Sequence, residues 1–434
     1  MRKAICYTLA AAMVFSMAAC SKKNSDKSSK ESSAAVISES SSSAESESLA
    51  GNEEKTPVSS TQEEEKPSLN GLGIKKDKKP LLAASGDDYD TRGDEEFGGV
   101  FLGISIEDFN AAGFAFGDSV DVEFSNGAKF LDLPYYNGYY VNVGENLLIG
   151  YPGYGDIKLA QNYGKDLYIE AGLKEGDTAS ITLNEKGKYL DIQKAMDISY
   201  KDDRDQYPSD VVFANFRNVT VGKLKPGVVY RSASPVDNQH MRAKYADALA
   251  KEAGVKYDID LSDNETKLQK HMAKDDFDSP HFLSLYEDGK VIPLAMSMNY
   301  FSDDFLNKIC LGFRSIAENE GPYLIHCVEG KDRTGFFLML LEAFAGASYQ
   351  EIVDDYMITY DNYFEITKEK DPEKYNVLKE RNLDRMIKFV CGDDDSVDIT
   401  TADLKTYAES FLKKTGLSDE ELVKLAERLI DAEK

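Results

Sequence analysis

Histidine and cysteine are scarce in this 434-residue chain, at four and five. No His, Cys and carboxylate cluster has ligand spacing, so the sequence gives no case for a metal and implies no cofactor. Cysteine is also too sparse for a disulfide framework. Cys6 and Cys20 fall in an N-terminal leader, which leaves Cys310, Cys327 and Cys391 as an odd set without paired spacing. Cys310 lies in an apolar helical pattern with Phe305, Leu306, Ile309, Leu311 and Phe313 and reads as core. Positive charge is in short supply: 51 Lys and Arg face 77 Asp and Glu, for a net −26. Such a surface repels nucleic acid and anionic membranes, which disfavours a nucleic-acid role. The apolar stretch Ala4 to Ala19 is sixteen residues long, short of the ~20 that a membrane-spanning helix needs.

That stretch follows Arg2 and Lys3 and ends Met17-Ala18-Ala19-Cys20, the charged start, apolar middle and small-residue end of a secretory signal over residues 1–19. Cysteine directly after Ala-Ala resembles the bacterial lipoprotein signal. The resemblance implies lipidation of Cys20 and an extracytoplasmic, membrane-anchored protein whose only membrane contact is its lipid. Residues 20–88 are then dominated by Ser, Glu and Lys. They cannot bury enough apolar surface to offset chain entropy and are expected to form a disordered tether.

Residues 97–198 are expected to form a small β-rich domain, a barrel or sandwich. Ser119–Phe124 and Lys129–Tyr136 flank Asn126-Gly127, and Tyr139–Val143 follows Asn137-Gly138; Asn-Gly between alternating runs signals a hairpin. Asp166–Ile169 and Ala179–Leu183 extend the strand-like series. The segment Gly-Leu-Lys-Glu-Gly-Asp at 172–177 loosely resembles the C-terminal barrel of the S-adenosylmethionine hydrolase family, without that family's other domain. Tyr135, Tyr136, Tyr139 and Tyr140 read first as cross-strand packing. From about Tyr207, strand-like runs (228–231, 255–261, 291–295, 323–325) alternate with helical ones (238–253, 303–318, 334–345). This predicts an α/β fold with a mostly parallel sheet flanked by helices over residues 205–434. Four further helices are expected at 349–360, 372–389, 401–414 and 418–431, the last opened by a Ser418 cap with Glu421 at N3.

The chemistry concentrates in residues 326–335, His-Cys-Val-Glu-Gly-Lys-Asp-Arg-Thr-Gly. An apolar strand precedes them and an apolar helix follows, so the loop's N–H groups and the positive helix end form an anion site. A helix N-terminus beside a guanidinium lowers a cysteine pKa from about 8.5 by one to several units, making Cys327 a thiolate nucleophile. Arg333 would grip two phosphoryl oxygens. Thr334 would donate its hydroxyl to the sulfur, and His326 would orient the loop. Val328, Glu329, Gly330, Lys331 and Gly335 complete the phosphate-binding loop. A nucleotide-binding loop is excluded, because Gly330-Lys331 is followed by Asp332 rather than Ser or Thr.

These residues resemble the signature of the cysteine-dependent phosphatases, His-Cys-x5-Arg-Thr/Ser. The Gly-Lys-Asp-Arg-Thr-Gly ending is most similar to a bacterial branch acting on phosphotyrosine and, in some members, phosphoinositides. Val229-Tyr230-Arg231-Ser232, Asp354-Asp355-Tyr356-Met357 and the helical hairpin around Phe411–Ser418 resemble its flanking segments. The resemblance implies a phosphocysteine intermediate and a substrate that is a phosphorylated protein, a phosphoinositide or an inositol phosphate. It also marks Arg231 as a candidate substrate contact. Such phosphatases usually supply a general acid from an upstream loop, but the corresponding stretch, 292–299, holds no carboxylate. Asp303 and Asp304 read as the first turn of a helix. Asp332, inside the loop beside Arg333, is the acid that the resemblance implies, with Asp303 and Asp304 as the alternative. Where relatives show Asp-Leu-Arg, this chain has Asp260-Leu261-Ser262. Lys331 would reach a second anionic group or lie solvated at the cleft mouth. The competing reading is a surface module that binds a phosphorylated ligand without turning it over.

Overall fold

The computed structural model describes residues 66–77 and 98–431, which belong to one compact unit. The leader, Cys20 and the tether up to residue 65 lie outside the described residues. Among the described residues no helix is long and apolar enough to cross a membrane.

The N-terminal half is an eight-stranded, nearly closed sheet. Its strands are β1 (Ser68–Gly73), β2 (Lys75–Lys76), β3 (Val100–Ser105), β4 (Ser119–Phe124), β5 (Lys129–Tyr136), β6 (Asn146–Ile149), β7 (Asp156–Gln161) and β8 (Thr178–Glu185). They are ordered β1-β8-β4-β5-β6-β7-β3-β2. Alternate residues turn inward, and Val100, Leu102, Val120, Val122, Leu148, Ile157, Leu159 and Ile181 are fully buried. The Asn126-Gly127 turn closes the β4–β5 hairpin as the sequence predicts, with Gly127 at φ 91°.

Three expectations are corrected here. Residues 66–77, assigned to the tether, are part of the barrel: β1 pairs with β8 and β2 with β3. Backbone pairing and the inward side of Leu69, Leu72 and Ile74 hold this segment, features that a Ser/Glu/Lys-rich average conceals. Asp77 then reaches the buried Lys158 ammonium, which also lies 5.0 Å from the Tyr154 ring centre. Asn137-Gly138 is no hairpin, because β5 and β6 run parallel and residues 137–145 form the connection between them. Asp166 caps a short helix (Leu167–Glu170) by accepting from the Tyr168 N–H at 3.1 Å, so no strand forms there. The tyrosines pack, with Tyr135 and Tyr136 buried, Tyr139 half-buried against Tyr151 and Tyr154, and Tyr140 half-buried against Tyr136.

The C-terminal half holds a five-stranded sheet: β9 (Arg217–Asn218), β10 (Val229–Ser232), β11 (Tyr257–Asp260), β12 (Val291–Pro293) and β13 (Tyr323–His326), ordered β12-β11-β13-β10-β9. All neighbours are parallel except the β9 edge. Central β13 leads through the 327–331 loop into the helix Asp332–Phe344, which is buried on every side from Thr334 onward. A helix apolar all round belongs inside a fold, and here Phe337 stacks on Phe313 with ring centres 4.4 Å apart. The helix expected from 238 starts at Ala243, because Ser234 first caps a turn through the N–H groups of Val236 and Asp237. Both Ser348–Glu351 and Ser418–Glu421 form capping boxes. The helix expected at 372–389 is interrupted by a π turn at Lys379–Asp384, where Asn382 donates to the Tyr360 hydroxyl at 2.9 Å.

Candidate active site

The 327–331 loop closes at the C-terminal end of β13, between β10 and β11, and its backbone is held from outside. Ser234 N–H donates to Val328 O at 3.0 Å, the Tyr363 hydroxyl to Glu329 O at 2.8 Å, and Arg231 to Gly330 O at 2.8 Å. With its carbonyls turned outward to these donors, the loop directs N–H groups inward. Among the described residues no carbonyl accepts from the N–H groups of residues 328–331. That is the arrangement an anion would complete. Gly330 has φ 66°, and a Cβ there would stand 2.1 Å from Ser232 O. Gly330→Ala is therefore expected to distort the loop, costing about 1–3 kcal/mol of stability and much of the affinity for phosphate. Thermal unfolding with and without phosphate reads both effects.

Cys327 sits at the loop's base, 3% exposed. Burial opposes its ionisation, but the Arg333 guanidinium and the hydroxyl and N–H of Thr334 outweigh it and pull the thiol below its ordinary value. The Thr334 hydroxyl is fully buried and has no other protein partner. Among the described residues Arg333 makes one long hydrogen bond, 3.4 Å to Met296 O, leaving most of its five donors for a ligand. His326 is fully buried between Asp258 (2.8 Å to Nε2) and the Cys327 carbonyl (3.3 Å from Nδ1). Burial works against its charge, yet Asp258, with Asp260 and Asp263, lifts it to about 10. The imidazolium thus orients the loop from behind, and it is Asp258, absent from the sequence reading, that sets its angle.

Asp332 opens the helix and remains 43% exposed in the cleft, 3.7 Å from the Lys331 ammonium. Partial desolvation and the neighbouring Glu329 raise its carboxyl above the ordinary range, although Lys331 and Arg333 oppose them. Asp303 and Asp304 occupy the first turn of the helix Asp303–Glu318, where Asp304 pairs with Lys308 at 2.9 Å. The carboxylate-free stretch lies along the turn after β11, with Ala295 and Met296 N–H donating to Asp263 O and Leu261 O. Asp260 caps that turn by accepting from the Ser262 and Asp263 N–H groups, and the Ser262 hydroxyl donates to the same carboxylate at 2.7 Å.

Arg231 is not a substrate contact. It is 1% exposed and holds Asp355 at 2.7 Å and Gly330 O from beneath the loop. Arg217 joins the same carboxylate at 2.9 Å. Burial would raise Asp355, but the two guanidiniums hold it well below the carboxylate range. Gly335 brings the helix close enough that a Cβ would meet the Tyr356 ring at 2.5 Å. Lys331 is neither solvated nor free: it is 12% exposed, 3.5 Å from Glu329, with the rings of Tyr200, Tyr360 and Phe364 within 6.0 Å. Tyr200 and His240, both missed in the sequence, cover the Glu329 carboxylate. Nothing local marks them, since each acts through a residue more than eighty positions away. Two clefts elsewhere, one bordered by Val228, Glu320 and Arg428 and one by Tyr349, Asp354 and Lys379, include no loop residue.

The sequence profile of the tyrosine phosphatase family matches residues 213–431, which contain the whole of this loop and its supports. A protein of Nostoc commune named tyrosine-protein phosphatase is 30% identical over 204 residues, an alignment covering 42% of this chain and 68% of that relative. With half of its length matched by the family and its phosphate loop inside the match, the chain belongs to the tyrosine phosphatase family.

Proposed function

We propose that the protein hydrolyses phosphomonoesters, phosphotyrosine foremost, through a phosphocysteine intermediate. The observation carrying this is Cys327 at the base of a loop whose 328–331 N–H groups have no protein acceptor among the described residues, with the Arg333 charge and Thr334 lowering its thiol. The Cys327 thiolate attacks phosphorus and the P–O bond to the leaving group breaks. Asp332 gives its proton to the departing oxygen. Water then attacks the phosphocysteine, yielding its proton to the Asp332 carboxylate, and inorganic phosphate leaves. Arg333 and the loop N–H groups hold the non-bridging oxygens in both steps. Thr334 donates to the sulfur as it departs.

Asp332→Asn tests the acid. With phenyl phosphate, whose leaving group needs a proton, kcat is expected to fall on the order of 10²-fold. With a nitrophenyl ester the loss is expected to be small. Rate should rise with pH as Cys327 ionises and fall as Asp332 loses its proton, and the variant should lack the alkaline fall. Equal losses on both esters would remove Asp332 from the role.

The leader and Ala-Ala-Cys20 junction support an extracytoplasmic protein anchored by lipid at Cys20. Radiolabelled fatty acid incorporated by the wild type and not by Cys20→Ala would establish the anchor.

A further inference from the structure

The residues around Lys331 bear on which phosphate ester fits. Segment 197–207, between the barrel and β9, precedes the family-matched region and crosses the loop. Its Tyr200 hydroxyl bonds Glu329, and its ring lies 5.3 Å from the Lys331 ammonium, 4.9 Å from Phe364 and 5.5 Å from Tyr363. Asp202 takes His240 at 2.9 Å and Arg242 at 3.2 Å, and Lys201 pairs with Glu365 at 3.0 Å. Lys201, His240, Arg242 and Lys331 therefore each already face a carboxylate.

We infer that Tyr200 and Glu329 determine substrate choice: by confining the Lys331 ammonium they leave the cleft fit for an aryl monophosphate and unfit for a substrate with a second phosphate. This rests on the hydrolytic reading above. A second phosphate beside the loop would need an available cation. Lys331 lies in the loop itself, and it stands 3.5 Å from Glu329 and 3.7 Å from Asp332. Lys331 and His240, with the Tyr200 hydroxyl, hold Glu329 ionised despite its burial, down to about 2, so its negative charge persists at any working pH. A second phosphate would meet that charge, in a chain of net −26. The half-buried rings of Tyr200 and Phe364, backed by the buried Tyr363, instead offer an aryl leaving group apolar surface at little entropic cost.

The test measures kcat/KM of the purified protein on phenyl phosphate and on an inositol bisphosphate. The wild type should prefer phenyl phosphate by at least about tenfold. Glu329→Gln, which removes one like charge a few Å from the second phosphate, should shift the ratio toward the bisphosphate by about tenfold. Tyr200→Ala should shift it the same way, mainly through a higher KM for phenyl phosphate, and Tyr200→Phe, which keeps the ring, should restore that KM. Equal use of both substrates by the wild type, or a ratio unmoved in both Glu329→Gln and Tyr200→Ala, overturns the inference while leaving hydrolysis intact. Turnover of neither substrate defeats the hydrolytic reading instead. Calorimetric binding of the two compounds to Cys327→Ser then decides the preference, tighter phenyl phosphate supporting it and tighter bisphosphate overturning it.

Discussion

Cys327→Ser is expected to remove turnover of every phosphate ester by roughly 10⁴–10⁶-fold, the loss typical of deleting a covalent nucleophile. The size follows from how much of the site serves that sulfur. A serine hydroxyl stays protonated where the thiol does not, because the contacts that lower Cys327, Arg333 and Thr334, act on a group that starts at about 8.5. The substitution is nearly isosteric, so the loop, its outward carbonyls and the Arg333 donors should stay in place and phosphate should still bind. Binding without turnover separates loss of the nucleophile from loss of the fold. Kinetics with phenyl phosphate, beside calorimetry with inorganic phosphate, make the distinction. Activity within tenfold of wild type would rule out a phosphocysteine.

Asp355→Ala should cause the largest loss of stability of any single change near the loop. It leaves Arg231, 1% exposed, and Arg217, 13% exposed, facing each other without their shared carboxylate. Breaking a buried ion pair from one side costs about 3–5 kcal/mol, since an uncompensated charge stays inside. The loss reaches the site, because the guanidinium that Asp355 holds also fixes Gly330 O. Lower urea midpoint and weaker phosphate binding should therefore appear together. The folded-state pKa of Asp355 lies below its unfolded value. Its contribution is therefore fully present above the unfolded value near 3.9 and is lost as pH falls toward the folded one. The wild-type advantage over Asp355→Ala should thus shrink only in acid. Beside it, Glu342 is 1% exposed, and its burial and the Asp355 charge push its carboxyl well above the ordinary range. An unchanged urea midpoint would show that the three-way contact contributes nothing.

The loop was legible because its function is encoded in consecutive residues. Strand, Cys, Gly, Arg and apolar helix at fixed spacing leave one backbone path, and Gly330 at φ 66° shows why glycine stands there. The helical hairpin at the C-terminus was equally open, since Ser418, Glu421 and Gly416 are local stop and start signals. The barrel's edges were not. The 66–77 strands carry few apolar residues and depend on β8 and β3, and the parallel β5–β6 pairing contradicts a turn signal that fits a hairpin. Arg231 was visible as a motif residue, but a motif cannot say on which side of a loop its side chain falls.

By itself, then, the sequence determined the α/β class, the phosphate loop with Cys327 and Arg333, and the family to which both belong. Each rests on neighbours within a few residues or on periodicity along one element. Only the tertiary structure decided that Arg231 supports the loop from beneath, that Asp258 orients His326 and that Lys331 lies caged under Tyr200. Those facts depend on burial and charge brought together from distant segments, and a buried cation takes its role from the carboxylate the fold sets beside it.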